Sequence, residues 1–241
     1  MKPKTRVAFC SPTMTRPFQP FLDSMAAAVP VFDEAGYEHG LSWEIGCPYI
    51  SSARATMLRK ALDWKADIIV FLDHDLSFPP EALLKLVETE GHVVAGTYRF
   101  KLEEESYMGH LHEDERGRPI VREDGCVRAD LAPAGFLKIT SHCVNHFMGA
   151  YPELVYGPRW NPSVDLFNHG AHEGVWWGED YAFCRRWEAA DGEIWTIPDL
   201  DLTHHGADGR AYPGNFHRWL LTLPGASNGP PIPPDLELSA A

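Results

Sequence analysis

The run Asp67-Ile68-Ile69-Val70-Phe71-Leu72 ends on Asp73-His74-Asp75, and it constrains the fold more than any other stretch. Residues 67–72 are too few for a helix and rich in β-branched side chains. They read as a strand buried on both faces, of the kind found inside a parallel sheet. Its neighbours extend the pattern. "RVAFCSPT" (6–13) reads as a first strand running into a Pro-bearing loop. "SSARATMLRKALDW" (51–64) reads as a helix capped by Ser51 or Ser52, with Met57, Leu58, Ala61 and Leu62 on one face. "PPEALLKLVETEG" (79–91) has Pro at its start and Gly at its end, the punctuation of a helix, and "HVVAGTY" (92–98) reads as another strand. Strand, helix, strand, helix, strand predicts an α/β fold with a single, mostly parallel central sheet flanked by helices. Ligands of such sheets bind at the carboxyl ends of strands, where Asp73 and Asp75 fall.

The later chain continues in kind. Residues 101–130 are polar and charged and read as a loop or hairpin; 135–140 reads as a strand and 141–151 as a helix. Residues 152–178, with Pro, Gly, Asn and three Trp, read as a long ordered loop. Residues 179–191 read as a helix with Gly192 as its stop, and 193–199 as a strand that runs into "LDLTHHG". A Pro-rich tail follows, so the expected division is a domain over 1–223 and a tail over 224–241. A chain of 241 residues, 44% hydrophobic, can bury a sizeable core. No apolar run approaches the roughly 20 residues needed to cross a bilayer. The amino terminus shows no signal-peptide core, and the five cysteines (10, 47, 126, 143 and 184) form no CxxC pair. A reduced, cytoplasmic protein is expected. The formal charge of −13 opposes generic nucleic-acid binding.

Three features carry chemistry. Two carboxylates one residue apart, Asp73 and Asp75, point the same way on an extended backbone and repel unless a cation lies between them; hard oxygens suit magnesium or manganese. A second such pair, Asp199 and Asp201, follows Pro198 and has no continuous strand to deliver it. Glu179 and Asp180 open a helix, either as acids favoured there by the dipole or as a general base whose pKa is tuned by Trp176 and Trp177. His204 and His205 follow the last strand, and spacing alone joins neither to Asp75. Trp160, Trp176 and Trp177 offer flat faces for a sugar or a base, or else pack in the core.

The ordered segments "SSARATMLRKAL", "ADIIVFLDHDLSFPPEALLKL", "VVAGTYRFK", "AGFLKIT", "GEDYAFCRRWEAADGEIW" and "PDLDLTHHG" resemble the GT-A-fold glycosyltransferases. The likeness is to short bacterial and phage enzymes akin to glycosyltransferase family 2, and it spans roughly residues 6 to 206. It implies that Asp73 and Asp75 hold a divalent cation, manganese or magnesium, and a nucleotide-sugar donor, with His74 beside the donor. His204 matches the late metal-binding histidine. Asp180 matches the base of inverting members, with Glu179 as its companion. Arg54 matches a helix-borne arginine near the nucleotide, and Ser11, Pro12 and Thr13 match the loop that touches base and ribose. Trp176, Trp177 and Gly178 fall on the acceptor side.

The resemblance therefore implies transfer of a sugar, with a UDP-sugar as donor, to a saccharide. The other acceptor is a hydroxymethylated base in phage-type DNA, reached along Arg99, Lys101, Arg159, Arg185 and Arg186. A catalytically inactive nucleotide-sugar or glycan binder is the alternative from another class. A nucleotidyltransferase would need a Gly-rich phosphate loop after the first strand, and "SPTMTRP" has no glycine.

Overall fold

The structure is a computed structural model that describes residues 4–172 and 174–223. The proposed tail at 224–241 lies outside the described residues. β1 (Arg6–Thr13), β2 (Glu38–Ile45) and β3 (Ile68–Leu72) are parallel neighbours. They are joined by α1 (Gln19–Ala35) and α2 (Ile50–Asp63). A two-residue strand β4 (Leu76–Ser77), helix α3 (Pro80–Glu88) and β5 (Val93–Gly96) follow. Next come β6 (His110–Leu111), β7 (Val127–Leu131), β8 (Phe136–Thr140) and α4 (Ser141–Ala150). Two small hairpins, β9 (Val155–Tyr156) with β10 (Ser163–Val164) and β11 (Gly170–His172) with β12 (Val175–Trp177), occupy the long loop. The chain closes with α5 (Glu179–Ala189), β13 (Ile194–Ile197), β14 (Asp201–His205), β15 (Ala211–Asn215) and α6 (Phe216–Leu220).

The central sheet has the order β2-β1-β3-β8-β5-β13-β7-β6. Traced through their pairings, β2, β1, β3, β5, β13 and β6 run one way and β8 and β7 run against them. The mostly parallel α/β sheet expected from the alternating elements is present. One face packs Met57, Leu58 and Ala61 of α2, Val144 and Phe147 of α4, and Phe183 and Trp187 of α5. The other packs Phe21, Met25 and Phe32 of α1 and Leu83 and Leu86 of α3. Apolar groups buried on both sides explain why β3 reads as one unbroken run.

Several local expectations change. α2 begins at Ile50 after Tyr49, with no side-chain cap, and Ser51 is buried inside its first turn. Ser11, Pro12 and Thr13 are not a loop but the buried end of β1. β3 pairs with β1 only as far as Cys10, so Pro12 lies where β1 has one neighbour and its missing N–H costs little. Segment 101–130 is not merely a loop: β7 pairs with β13 inside the central sheet, and β6 pairs with β7 at its edge. In β7, buried Val127 and Ala129 alternate with outward Arg128 and Asp130, and the charged members mask the strand. The "LDLTHHG" stretch is itself a strand, β14, in a small separate sheet of order β15-β14-β4. Among the described residues no helix is long and apolar enough to cross a membrane.

Candidate active site

β3 delivers Asp73 to the carboxyl end of the sheet, where the Asp73 amide donates to the Gly135 carbonyl (2.8 Å). A Cβ on Gly135 would fall 2.2 Å from the Tyr98 hydroxyl and 2.4 Å from Asp73 Oδ2. Glycine is therefore required for the Asp73 carboxylate to lie this close to the β7–β8 turn. Asp73 Oδ1 accepts from Arg54 (3.2 Å) and Oδ2 from Tyr98 Oη (3.2 Å).

Arg54 joins two distant parts of the chain. It is 2% exposed, and it also donates to Glu179 Oε1 (2.7 Å) at the start of α5. Its guanidinium lies 5.1 Å from the Phe167 ring. Burial works against its charge, but the Asp73 and Glu179 carboxylates more than restore it. One helix-borne cation thus ties the end of β3 to the helix that carries Asp180.

Asp180 is left without such a partner. Among the described residues its Oδ1 accepts only from the next amide, Tyr181 (2.8 Å). Burial, then the neighbouring Glu179 charge, push its carboxyl up to about 6, against the pull of Arg54. That is the range in which a carboxylate takes up a proton near neutral pH.

Asp75 lies beyond the strand in a turn, so it does not simply repeat Asp73 two residues on. Its Oδ2 accepts from Lys101 Nζ and faces His204 Nε2 at 3.5 Å. β14 brings His204 there by pairing with β4, His204 opposite Leu76. The other histidine nitrogen, Nδ1, bonds the Arg99 carbonyl (2.9 Å). A carbonyl only accepts, so Nδ1 carries the hydrogen, and a neutral His204 then presents a lone pair to the Asp75 carboxylate. Two acceptors face each other, which calls for a proton or a cation between them. Burial by itself raises the Asp75 carboxyl. The hydrogen bonds and positive charge of Lys101, and of His204 in its protonated form, hold it far below the usual carboxylate range.

The structure therefore joins Asp75 and His204, and separately joins Asp73, Arg54 and Glu179, with Asp180 next to Glu179 on α5. It does not gather one ligand atom each from Asp73, Asp75 and His204 within 4.8 Å. His205 turns away, with Nε2 on Ser77 Oγ (2.8 Å). His74 sits between the two groups in sequence, its buried Nδ1 without a partner among the described residues and its ring 5.6 Å from Phe18.

Sequence reasoning had no role for Tyr98 or Gly135. Tyr98 is 3% exposed, touches Asp73 and meets the His204 ring edge-on at 5.1 Å, so it spans both groups. Burial and the Asp73, Asp180 and Asp75 charges keep its hydroxyl protonated. The aromatic side is open: Trp176 is 69% exposed and Trp160 88% exposed, which removes the core-packing reading for both. Trp177 packs tilted against His172 (4.8 Å between ring centroids) and under Arg185 (5.3 Å) just before Gly178, the residue that caps α5.

No protein-family model matches the chain, and no curated protein matches it in sequence. Solved structures match in backbone course. One is GalNAc-T7 with UDP, GalNAc and Mn2+, with a TM-score of 0.48 and 10% identity over 83% of this chain and 43% of that one. Another is a Drosophila β1,4-galactosyltransferase 7 variant with manganese, UDP-Gal and xylobiose. Its TM-score is 0.45 and its identity 12%, over 98% of this chain and 80% of that one. The chain spans less than half the length of the first of these.

Proposed function

We propose that this chain is a metal-dependent glycosyltransferase of the GT-A type. It would move a sugar from a nucleoside diphosphate, UDP as first choice, to a saccharide hydroxyl, with inversion. The observation that carries the reading is the Asp75–His204 pair at the carboxyl end of the sheet, its imidazole lone pair fixed toward a carboxylate. A carboxylate and a neutral imidazole are a fitting donor set for manganese, and also serve magnesium through the carboxylate. Bound there, the ion would supply Lewis-acid neutralisation of a departing diphosphate.

The remaining roles belong to the chain's own side chains. Asp75 and His204 hold the ion. Asp73, already fixed by Arg54 and Tyr98, is assigned to the donor together with His74 and Arg54. The buried position of Ser11, Pro12 and Thr13 passes the contacts with the base to the segment after β1. Asp180 takes the proton of the attacking hydroxyl; Glu179 holds Arg54 and so keeps Asp180 free of a counter-ion. The exposed Trp176 face, Trp177 and Gly178 are assigned to the acceptor, because they lead directly into α5. A flat apolar face suits a sugar ring.

A DNA acceptor is not favoured. Arg99 is bonded to the Leu102 and Glu103 carbonyls, Lys101 to Asp75, and Arg186 to Asn168 and His172. Most of the proposed basic path is thus used internally.

The test is donor hydrolysis with UDP-, GDP- and other nucleotide-sugars, with manganese, magnesium or a chelator, beside Asp75→Ala. The expected result is turnover of one donor that chelator and Asp75→Ala both abolish. Turnover indifferent to both would remove the mechanism. Product NMR at the anomeric carbon decides inversion.

A further inference from the structure

At the edge of the central sheet a second group of ligating side chains converges. β6 carries His110, and His112 follows two residues later, an H-x-H pattern that points both rings to one side of an extended chain. Both meet Asp130 of β7: His110 Nδ1 at 3.3 Å from Oδ2 and His112 Nδ1 at 2.6 Å from Oδ1. The pairing explains why one carboxylate serves two rings. His110 pairs with Leu131 and Leu111 with Ala129, so the register slips and Asp130 is the extra residue of a bulge. Bulges re-aim a side chain at the margin of a sheet.

A third element completes the group. α5 lies against β7, and near its end Glu188 contributes a carboxylate oxygen. One ligand atom each of His112, Asp130 and Glu188 lies within 4.8 Å of the others. Among the described residues this is the one group of three or more His, Cys, Asp or Glu drawn so close. Glu188 forms no ion pair with any described lysine or arginine, and the nearby Arg128 is taken by Glu193 (2.9 Å).

We propose that His112, Asp130 and Glu188 form a zinc site, with His110 bonded to Asp130 beside it. Imidazole nitrogen with carboxylate oxygen is a donor set that zinc accepts in tetrahedral geometry. The site would add a staple across three pieces: the edge strand β6, its partner β7, and the end of α5. This gives the acidic, histidine-bearing segment 101–119 a structural role, and it does not depend on the glycosyltransferase reading.

The probe is zinc alone, titrated calorimetrically into the chelator-stripped full chain. Asp75→Asn, which removes the other candidate ion site, is titrated in parallel. The proposal expects one zinc per chain in Asp75→Asn, at least tenfold weaker binding when Glu188→Gln or His112→Ala is added to it, and a zinc-dependent rise in thermal midpoint that those two variants lose. Glu188 is exposed, so its variant tests the site even if a substitution nearer the sheet disturbs folding. No zinc bound in Asp75→Asn, or zinc bound equally well after Glu188→Gln or His112→Ala is added to it, would overturn the proposal and leave the Asp75–His204 reading as it stands.

Discussion

Asp180 and Arg54 show how one neighbourhood can be tuned in two directions. Arg54 is buried with two carboxylates, so its removal strands both. Arg54→Met is expected to cost about 3 kcal/mol of stability, since breaking a buried pair leaves its partners uncompensated; urea denaturation measures it, and an unchanged midpoint would refute the bridging role. Asp180 carries the opposite sign. Its carboxyl is raised from 3.8 to about 6 in the folded protein. The native state therefore holds a proton the unfolded chain has released. That linkage favours folding at low pH, and stability falls as pH climbs between those values. Asp180→Asn should then stabilise the protein at pH 7, on the order of 1 kcal/mol, while lowering turnover roughly 10²-fold or more. The wild-type rate should fall below about pH 6 as Asp180 becomes protonated. A pH–rate profile flat between 5 and 7 would remove Asp180 as base.

At the level of elements, the site is assembled by pairings between pieces far apart in the chain. The β4–β14 pairing sets His204 opposite Leu76 and so beside Asp75. The segment that leaves β5 supplies both the Arg99 carbonyl that fixes the histidine tautomer and the Lys101 ammonium that sits on Asp75. Lys101 thus places a tethered positive charge on the carboxylate assigned to the ion, and the two must compete. Lys101→Met is expected to tighten manganese binding about tenfold or more. Paramagnetic relaxation of water by free and bound manganese reads this directly, and equal affinity in the two proteins would show that Lys101 does not contend for Asp75. Much of this element scale was legible beforehand. β3, α2, α4, β8 and α5 lie within a residue or two of their expected bounds, because each carries a clean apolar period and marked ends. β7 was not legible, because its outward charges hide a two-residue alternation; nor was the placement of Ser11–Thr13, because Pro12 imitates a loop.

Over the whole molecule, a formal charge of −13 is combined with internal contacts for Arg99, Lys101 and Arg186. Long-range attraction to a polyanion is therefore weak. Duplex DNA mobility in a gel should be unaltered by the protein at low salt; a salt-sensitive shift would reopen the DNA acceptor. The sheet sorts its surfaces by end. The carboxyl end of β3 holds the carboxylates of the proposed reaction, while the far edge at β6 and β7 holds the histidine group.

The chain's linear order by itself determined the α/β class, the strand that ends at Asp73, and the acids that open α5. These depend on short-range periodicity and capping, which a local stretch expresses without its neighbours. Only the tertiary structure decided that His204, not His205, faces Asp75, that Arg54 ties Asp73 to Glu179, and that Tyr98 and Gly135 hold the Asp73 carboxylate. Those contacts join residues from 19 to 129 positions apart, and their distances follow from sheet register and helix packing, which no local pattern encodes.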